Sequence, residues 1–132
     1  MKITQALLDN LTEQAKASPR LRMNYDLRNS AEDKSQRMLN AIEPGSQVPI
    51  HRHQKSSETV VCLRGKIVWE FYDELERICT ESVVVSPNGP VVALNIPKGQ
   101  WHTLQSLESG SVIMESQDGA YEPQSPADIL SI

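Results

Sequence analysis

From residue 36 onward the chain is a train of short runs, each only a few residues long, separated by glycine and proline turns. The runs are 36–43, 47–53, 58–64, 66–72, 77–85, 91–96, 102–107 and 111–116. Between them stand Pro44-Gly45, Arg64-Gly65, Asp73-Glu74, Pro87-Asn88-Gly89-Pro90, Pro97-Lys98-Gly99 and Ser109-Gly110. Such runs are strand-length, and turn residues this frequent reverse the chain after each one. Parallel strands need crossover connections of a dozen residues or more, usually helical, and no gap here has room for one. The pattern therefore predicts an antiparallel sandwich or barrel.

Two other segments frame this region. Over 3–17, Ile3, Leu7, Leu8, Leu11 and Ala15 recur at helical spacing with Asp9, Asn10, Glu13, Gln14 and Lys16 opposite, and Ser18-Pro19 ends the pattern. Over 20–28 the period drops to two, with Leu21, Met23, Tyr25 and Leu27 alternating with Arg20, Arg22, Asn24, Asp26 and Arg28. Residues 29–35 read as a polar loop, and 118–132, rich in Pro and Ser, as a tail wrapping the outside. The organisation expected is a single domain over 1–132. It has a helix-and-strand extension at 1–35, a barrel at 36–117 and a tail at 118–132. A chain of 132 residues with 39% hydrophobic residues suits one core.

Charge and leader features narrow the partners. A net charge of −4, without clustered positive charge, argues against nucleic acid. No apolar run approaches membrane-spanning length, which argues against a membrane. Met1–Leu7 lacks the apolar core of a signal peptide, so a cytoplasmic location is expected. Cys62 and Cys79 are too few for a disulfide scaffold and are read as reduced thiols. Cys62 shares a strand face with Glu58 and is expected as an inert thiol in the barrel floor. Trp69 and Phe71 are expected in the core.

The chemistry sits on the chain's three histidines. His51 and His53 are two apart in an extended run, so both imidazoles point to one side. Glu58 follows within reach, and His102 closes the run Pro97-Lys98-Gly99-Gln100-Trp101-His102. Three imidazoles and a carboxylate form a mixed nitrogen and oxygen set suited to a divalent transition metal. Arg20, Arg22 and Asn24 are candidate ligand-binding residues at the cavity mouth, where guanidinium forks suit an anionic group. Their other reading is the solvent face of an edge strand. No general base is singled out, with Glu70 and Asn40 as candidates. No Gly-x-Ser-x-Gly, phosphate-loop or Cys/His pattern competes.

These residues carry a family resemblance. Gly45, five residues, His51-Arg52-His53, four residues, Glu58, six residues and Gly65 resemble the first motif of the cupin superfamily. Pro97-x-Gly99-x-x-His102 resembles the core of its second motif. The chain departs from that second motif at Val91, where a glycine is usual, and at Ser106, where an asparagine is common. Neither position is a metal ligand. The two motifs span about residues 45–106. The whole chain, with its N-terminal helix and Arg20-Leu21-Arg22-Met23-Asn24, is also similar to WbuC-type cupin fold metalloproteins, associated with surface polysaccharide gene clusters.

The resemblance implies an all-β cupin double-stranded β-helix, or jelly-roll barrel, with an N-terminal α-helix. It implies a centre of His51, His53, Glu58 and His102 holding Zn, Fe, Mn or Ni, with two open positions on a six-coordinate ion. The function it implies is binding of, or action on, a small polar, carbohydrate-related ligand, as a metal-dependent isomerase, epimerase or oxygenase. The alternatives are a non-catalytic binding or sensing module and a metal-dependent dioxygenase. A homodimer is expected, with the strand at 20–28 as the pairing edge.

Overall fold

The computed structural model describes residues 1–131. It opens with helix α1 (Gln5–Ala17) and strands β1 (Arg22–Asp26) and β2 (Ser35–Ile42). Then come β3 (Ile50–His51), β4 (Glu58–Arg64), β5 (Ile67–Tyr72), β6 (Cys79–Val85) and β7 (Ala93–Ile96). The chain continues with β8 (Trp101–Ser106), β9 (Val112–Asp118), a 3-10 turn at Pro126–Asp128 and β10 (Ile129–Leu130).

The strands form two five-stranded antiparallel sheets, ordered β1-β2-β9-β4-β7 and β10-β3-β8-β5-β6. The expected antiparallel double-sheet barrel with an N-terminal helix is the observed architecture.

Alternation along the strands separates two cores. Ile42, Val60, Cys62, Ile67, Trp69, Val85, Ile96, Leu104 and Ile113 fill the space between the sheets, with Phe71 packed against them. The other face of the first sheet offers Leu39, Ala41 and Val112 to Leu8, Leu11 and Ala15 of α1. Strand β2 therefore serves both cores at period two, with Leu39 and Ala41 toward the helix and Asn40 and Ile42 toward the barrel. Arg64 ties the helix down, donating to Asp9 at 2.7 Å, Gln5 and Thr12 at 3.1 Å, and the Gly110 carbonyl at 2.8 Å.

Several boundaries differ from the sequence reading. The helix starts at Gln5 because Thr4 caps it, its hydroxyl accepting the Leu7 N–H at 3.2 Å. The run at 20–28 keeps strand geometry only from Arg22 to Asp26. Leu21 sits at φ +57°, and Asp26 turns the chain by accepting the Arg28 N–H at 2.9 Å. The run at 47–53 shrinks to Ile50–His51. Pro49 has no N–H for a ladder, while the His53 carbonyl accepts from Gly99 at 2.9 Å. The tail adds strand β10 beside β3, which the Pro-rich composition concealed. Among the described residues neither cysteine is in a disulfide; Cys62 is buried and Cys79 exposed. No helix among the described residues is long and apolar enough to cross a membrane.

Candidate metal centre

Antiparallel pairing assembles the site. His51 of β3 lies directly opposite His102 of β8, and Phe71 of β5 lies opposite His102 on its other side. His53 follows just past β3. The candidate ligand atoms of His51, His53 and His102 all lie within 4.8 Å of one another. Ring centroids are 4.4 Å apart for His51 and His102, 5.1 Å for His51 and His53, and 5.9 Å for His53 and His102.

Hydrogen bonds select the tautomers. Nδ1 of His51 is 2.8 Å from the Pro49 carbonyl, and Nδ1 of His102 is 2.9 Å from the Gln100 carbonyl. A carbonyl only accepts, so each Nδ1 carries the proton and each Nε2 keeps a lone pair. His102 Nε2 is buried with no hydrogen-bond partner among the described residues. Burial holds His51 and His102 below the ordinary histidine range, His51 at about 4, so both are neutral at neutral pH. A buried orphan lone pair beside two more imidazoles fits a metal ligand set, and carbonyls fixing the distal nitrogens are the usual outer support of such a set.

Glu58 opens β4 and is 7% exposed, with Oε2 at 3.2 Å from His53 Nε2. That hydrogen bond raises the His53 pKa. Burial alone would raise the Glu58 carboxyl, but the His53 hydrogen bond and the histidine charges hold it below the usual range. The structure thus gathers all four expected residues, with the three histidines as the mutually close cluster and Glu58 bonded to one of them.

A second carboxylate escaped the sequence reading. Glu115 of β9 faces inward opposite Val60, one step diagonally from Glu58. It accepts from Asn40 Nδ2 at 3.4 Å. Burial, with the Glu58 charge second, pushes its carboxyl up to about 7. The signal was its parity with Ile113, obscured because Val112 and Met114 made the other face apolar too. Glu70 alternates with the inward Trp69 and Phe71 and stands opposite Thr103, so its face turns away from the histidines. It is no base for this site; Asn40 does face inward.

Of the candidate ligand-binding residues, Arg22 is half-buried at the first sheet's edge, donating to Gln47 O at 2.7 Å and Ser46 Oγ at 3.3 Å. Arg20 and Asn24 are exposed. Arg52, between the histidines, points outward. Its guanidinium carbon lies 4.6 Å from the centre of the Trp101 ring, and its Nε donates to Asp128 at 3.1 Å. A cleft of about 460 Å³ is lined by Phe71, Leu94, Pro97 and Gln100 among others.

Residues 3–84 match the family described as "Domain of unknown function (DUF6016)". The chain belongs to this DUF6016 family. No curated protein matches it in sequence. Among solved structures it is similar to the capsular polysaccharide assembling protein CapF from Staphylococcus aureus. The TM-score is 0.68 at 21% identity, over 83% of this chain and 30% of that one. It is also similar to KdgF from Halomonas sp., with TM-score 0.61 at 15% identity over 79% of this chain and 84% of that one. A recombinant oxalate oxidase in complex with glycolate gives 0.62 at 18% identity, over 82% and 55%. The chain thus spans about 30% of CapF's length. These structures are cupins, and the fold of this DUF6016 chain is the cupin fold.

Proposed function

We propose that this chain is a metal-dependent cupin whose centre, His51, His53, His102 and Glu58, binds a small polar, carbohydrate-related ligand. The observation that carries the reading is the buried Nε2 of His102, unpartnered among the described residues and grouped with two further imidazoles. Leaving such an atom without a partner costs about 1–3 kcal/mol, which coordination recovers. In this reading Glu58, which is hydrogen-bonded to His53, would add a carboxylate oxygen to the three imidazoles. A bound divalent ion supplies Lewis acidity to a ligand oxygen. Zn, Fe, Mn and Ni all accept this donor set.

The carbohydrate part is supported by the cupin likeness to a capsular polysaccharide assembling protein and by the similarity of the chain to WbuC-type cupins. Isomerase, epimerase or oxygenase chemistry and ligand-holding without turnover all use such a centre. In the same reading Arg22 meets an anionic group of the ligand, with Arg20 and Asn24 at the rim. The edge strand β1 pairs two copies into a homodimer of a cytoplasmic protein, and a monodisperse monomer at high concentration would rule the dimer out.

The test is elemental analysis of the purified protein and of His51→Ala. Near-stoichiometric transition metal in the wild type and its loss in the variant are expected. Equal metal content in the two would refute the centre. Turnover of a sugar panel, set beside thermal stabilisation by the same sugars, separates an enzyme from a binding module.

A further inference from the structure

Four adjacent strands of the first sheet each contribute one inward polar side chain along a diagonal: Arg22 of β1, Asn40 of β2, Glu115 of β9 and Glu58 of β4. The register fixes this line. Arg22 stands opposite Ile42 and Asn24 opposite Asn40; Met38 lies opposite Glu115 and Glu115 opposite Val60; Gln117 is opposite Glu58. Each member is therefore the diagonal neighbour of the next, a separation that long side chains bridge. The line begins at the metal centre and ends at a guanidinium.

Its middle is under-satisfied. Asn40 donates to Glu115 through Nδ2, while its buried Oδ1 has no hydrogen-bond partner among the described residues. Turning the amide over exchanges which atom is left, so one polar atom of Asn40 stays free in either orientation. Among the described residues Glu115 accepts that single side-chain bond, and a carboxyl has capacity for several. Arg22 spends Nη1 on Ser46 and Gln47, and no bond from its Nε or Nη2 is recorded among the described residues. The barrel interior around it is packed mainly by apolar side chains, where unspent polar capacity is costly.

We propose that Asn40 and Glu115 form a hydroxyl-recognition pair between the metal centre and Arg22, and that the ligand is a polyhydroxylated acid. The inference rests on the metal-site reading above and names the substrate class for it. An amide beside a carboxyl offers donor and acceptor together, the pattern that adjacent hydroxyls require. Arg22 takes the acid group through a charge-assisted bond. The Glu115 carboxyl keeps oxygen acceptors beyond the one that Asn40 uses, and a ligand hydroxyl donates to them. Rejection of analogues follows from the same polar atoms, because a ligand without hydroxyls leaves them unpaired.

The experiment uses the full chain loaded with Zn²⁺ and three probes: D-glucuronate, D-glucose and acetate. Affinities are read by calorimetry for the wild type, Glu115→Gln and Asn40→Ala, with metal content and melting temperature measured on each preparation. D-glucuronate is expected to bind the wild type at least tenfold more tightly than either other probe. Both variants are expected to lose the margin over acetate while keeping the metal and a cooperative melt. No wild-type preference for D-glucuronate over acetate would overturn the proposal, and so would a preference that survives in both folded variants. A wild type without bound metal refutes the metal centre separately, and the D-glucuronate preference is then read on the metal-free protein with the same two outcomes.

Discussion

Strand β3 carries His51 yet has only two residues, one ladder pair with β8 and two with β10. Its position depends on Asp128, seventy-six residues from Arg52 in sequence. The Asp128 carboxylate accepts from Arg52 Nε at 3.1 Å, Gln54 Nε2 at 2.5 Å and Ser125 Oγ at 3.3 Å. At about 1 kcal/mol net per hydrogen bond, reduced because both ends of the ion pair are partly exposed, this amounts to about 1–2 kcal/mol. Asp128→Ala removes all three but leaves the backbone bond from Arg52 N to Asp128 O and the stacking of Arg52 on Trp101. So short a strand has little else to hold it, and the loss falls on the alignment of His51 with His102. Since about 1.4 kcal/mol is tenfold in affinity, the Zn²⁺ dissociation constant should rise about tenfold. Competition against a chromophoric chelator measures it. Asp128→Asn keeps an acceptor oxygen and should recover most of the loss. A folded Asp128→Ala protein whose Zn²⁺ affinity stays within twofold of wild type would show that the tail does not position this strand.

Protons should compete with the metal at one residue first. His53 has a raised pKa through Glu58, whereas burial lowers both His102 and His51, the latter to about 4, so His53 is the first of the three imidazoles to hold a proton as pH falls below about 6.5. Zn²⁺ affinity should fall about tenfold per pH unit there, and a flat profile would contradict the assignment. In the metal-free protein the depressed His51 works in the opposite sense to the His53–Glu58 pair. Its stabilising share is present above the unfolded value of about 6.5 and is lost as pH falls toward 4, about 3 kcal/mol at most. The His53 share is present below that value and is lost as pH rises through its raised pKa. Urea titrations of wild type and His51→Ala at pH 7 and 4.5 should therefore differ in pH slope, with the steeper acid loss in wild type. Gly65→Ala should cost about 3 kcal/mol or more in chemical denaturation. The glycine sits at φ +87°, and an added Cβ would come 2.6 Å from Ser111 Cα. Leu11→Ala, 2% exposed on the inner face of α1, should cost about 2–5 kcal/mol yet leave Zn²⁺ affinity unchanged, because that core lies on the far face of the sheet from the histidines.

The local features of this protein are legible in its amino-acid order. Period-two runs and turn residues specify antiparallel strands, and the run at 58–64 coincides with β4 to the residue. The parity of His51 and His53 places both imidazoles on one side of the chain, with Arg52 on the other. The two histidine motifs hold the three imidazoles that the barrel brings together, with Glu58 hydrogen-bonded to His53 beside them. Where backbone groups leave the ladder for a distant partner, local pattern and structure diverge. The run at 47–53 looked like seven strand residues, but the Arg52 N–H goes to Asp128 and the His53 carbonyl to Gly99. The tail read as a wrap from its prolines, though Ile129–Leu130 pair with β3.

Which residue types are present, and on which side of a strand each falls, follows from chain geometry over two or three residues, and that much is written in the order of the amino acids. Glu115, Asn40 and Asp128 drew no attention there because their roles depend on strand register across dozens of intervening residues. Register between β9 and β4 makes Glu115 a neighbour of Glu58, and the docking of β10 makes Asp128 a support for His51. Burial then alters their chemistry, since a carboxyl raised toward neutrality and an imidazole held neutral are properties of enclosed space and nearby charge. Those quantities come into being only when the two sheets close on each other.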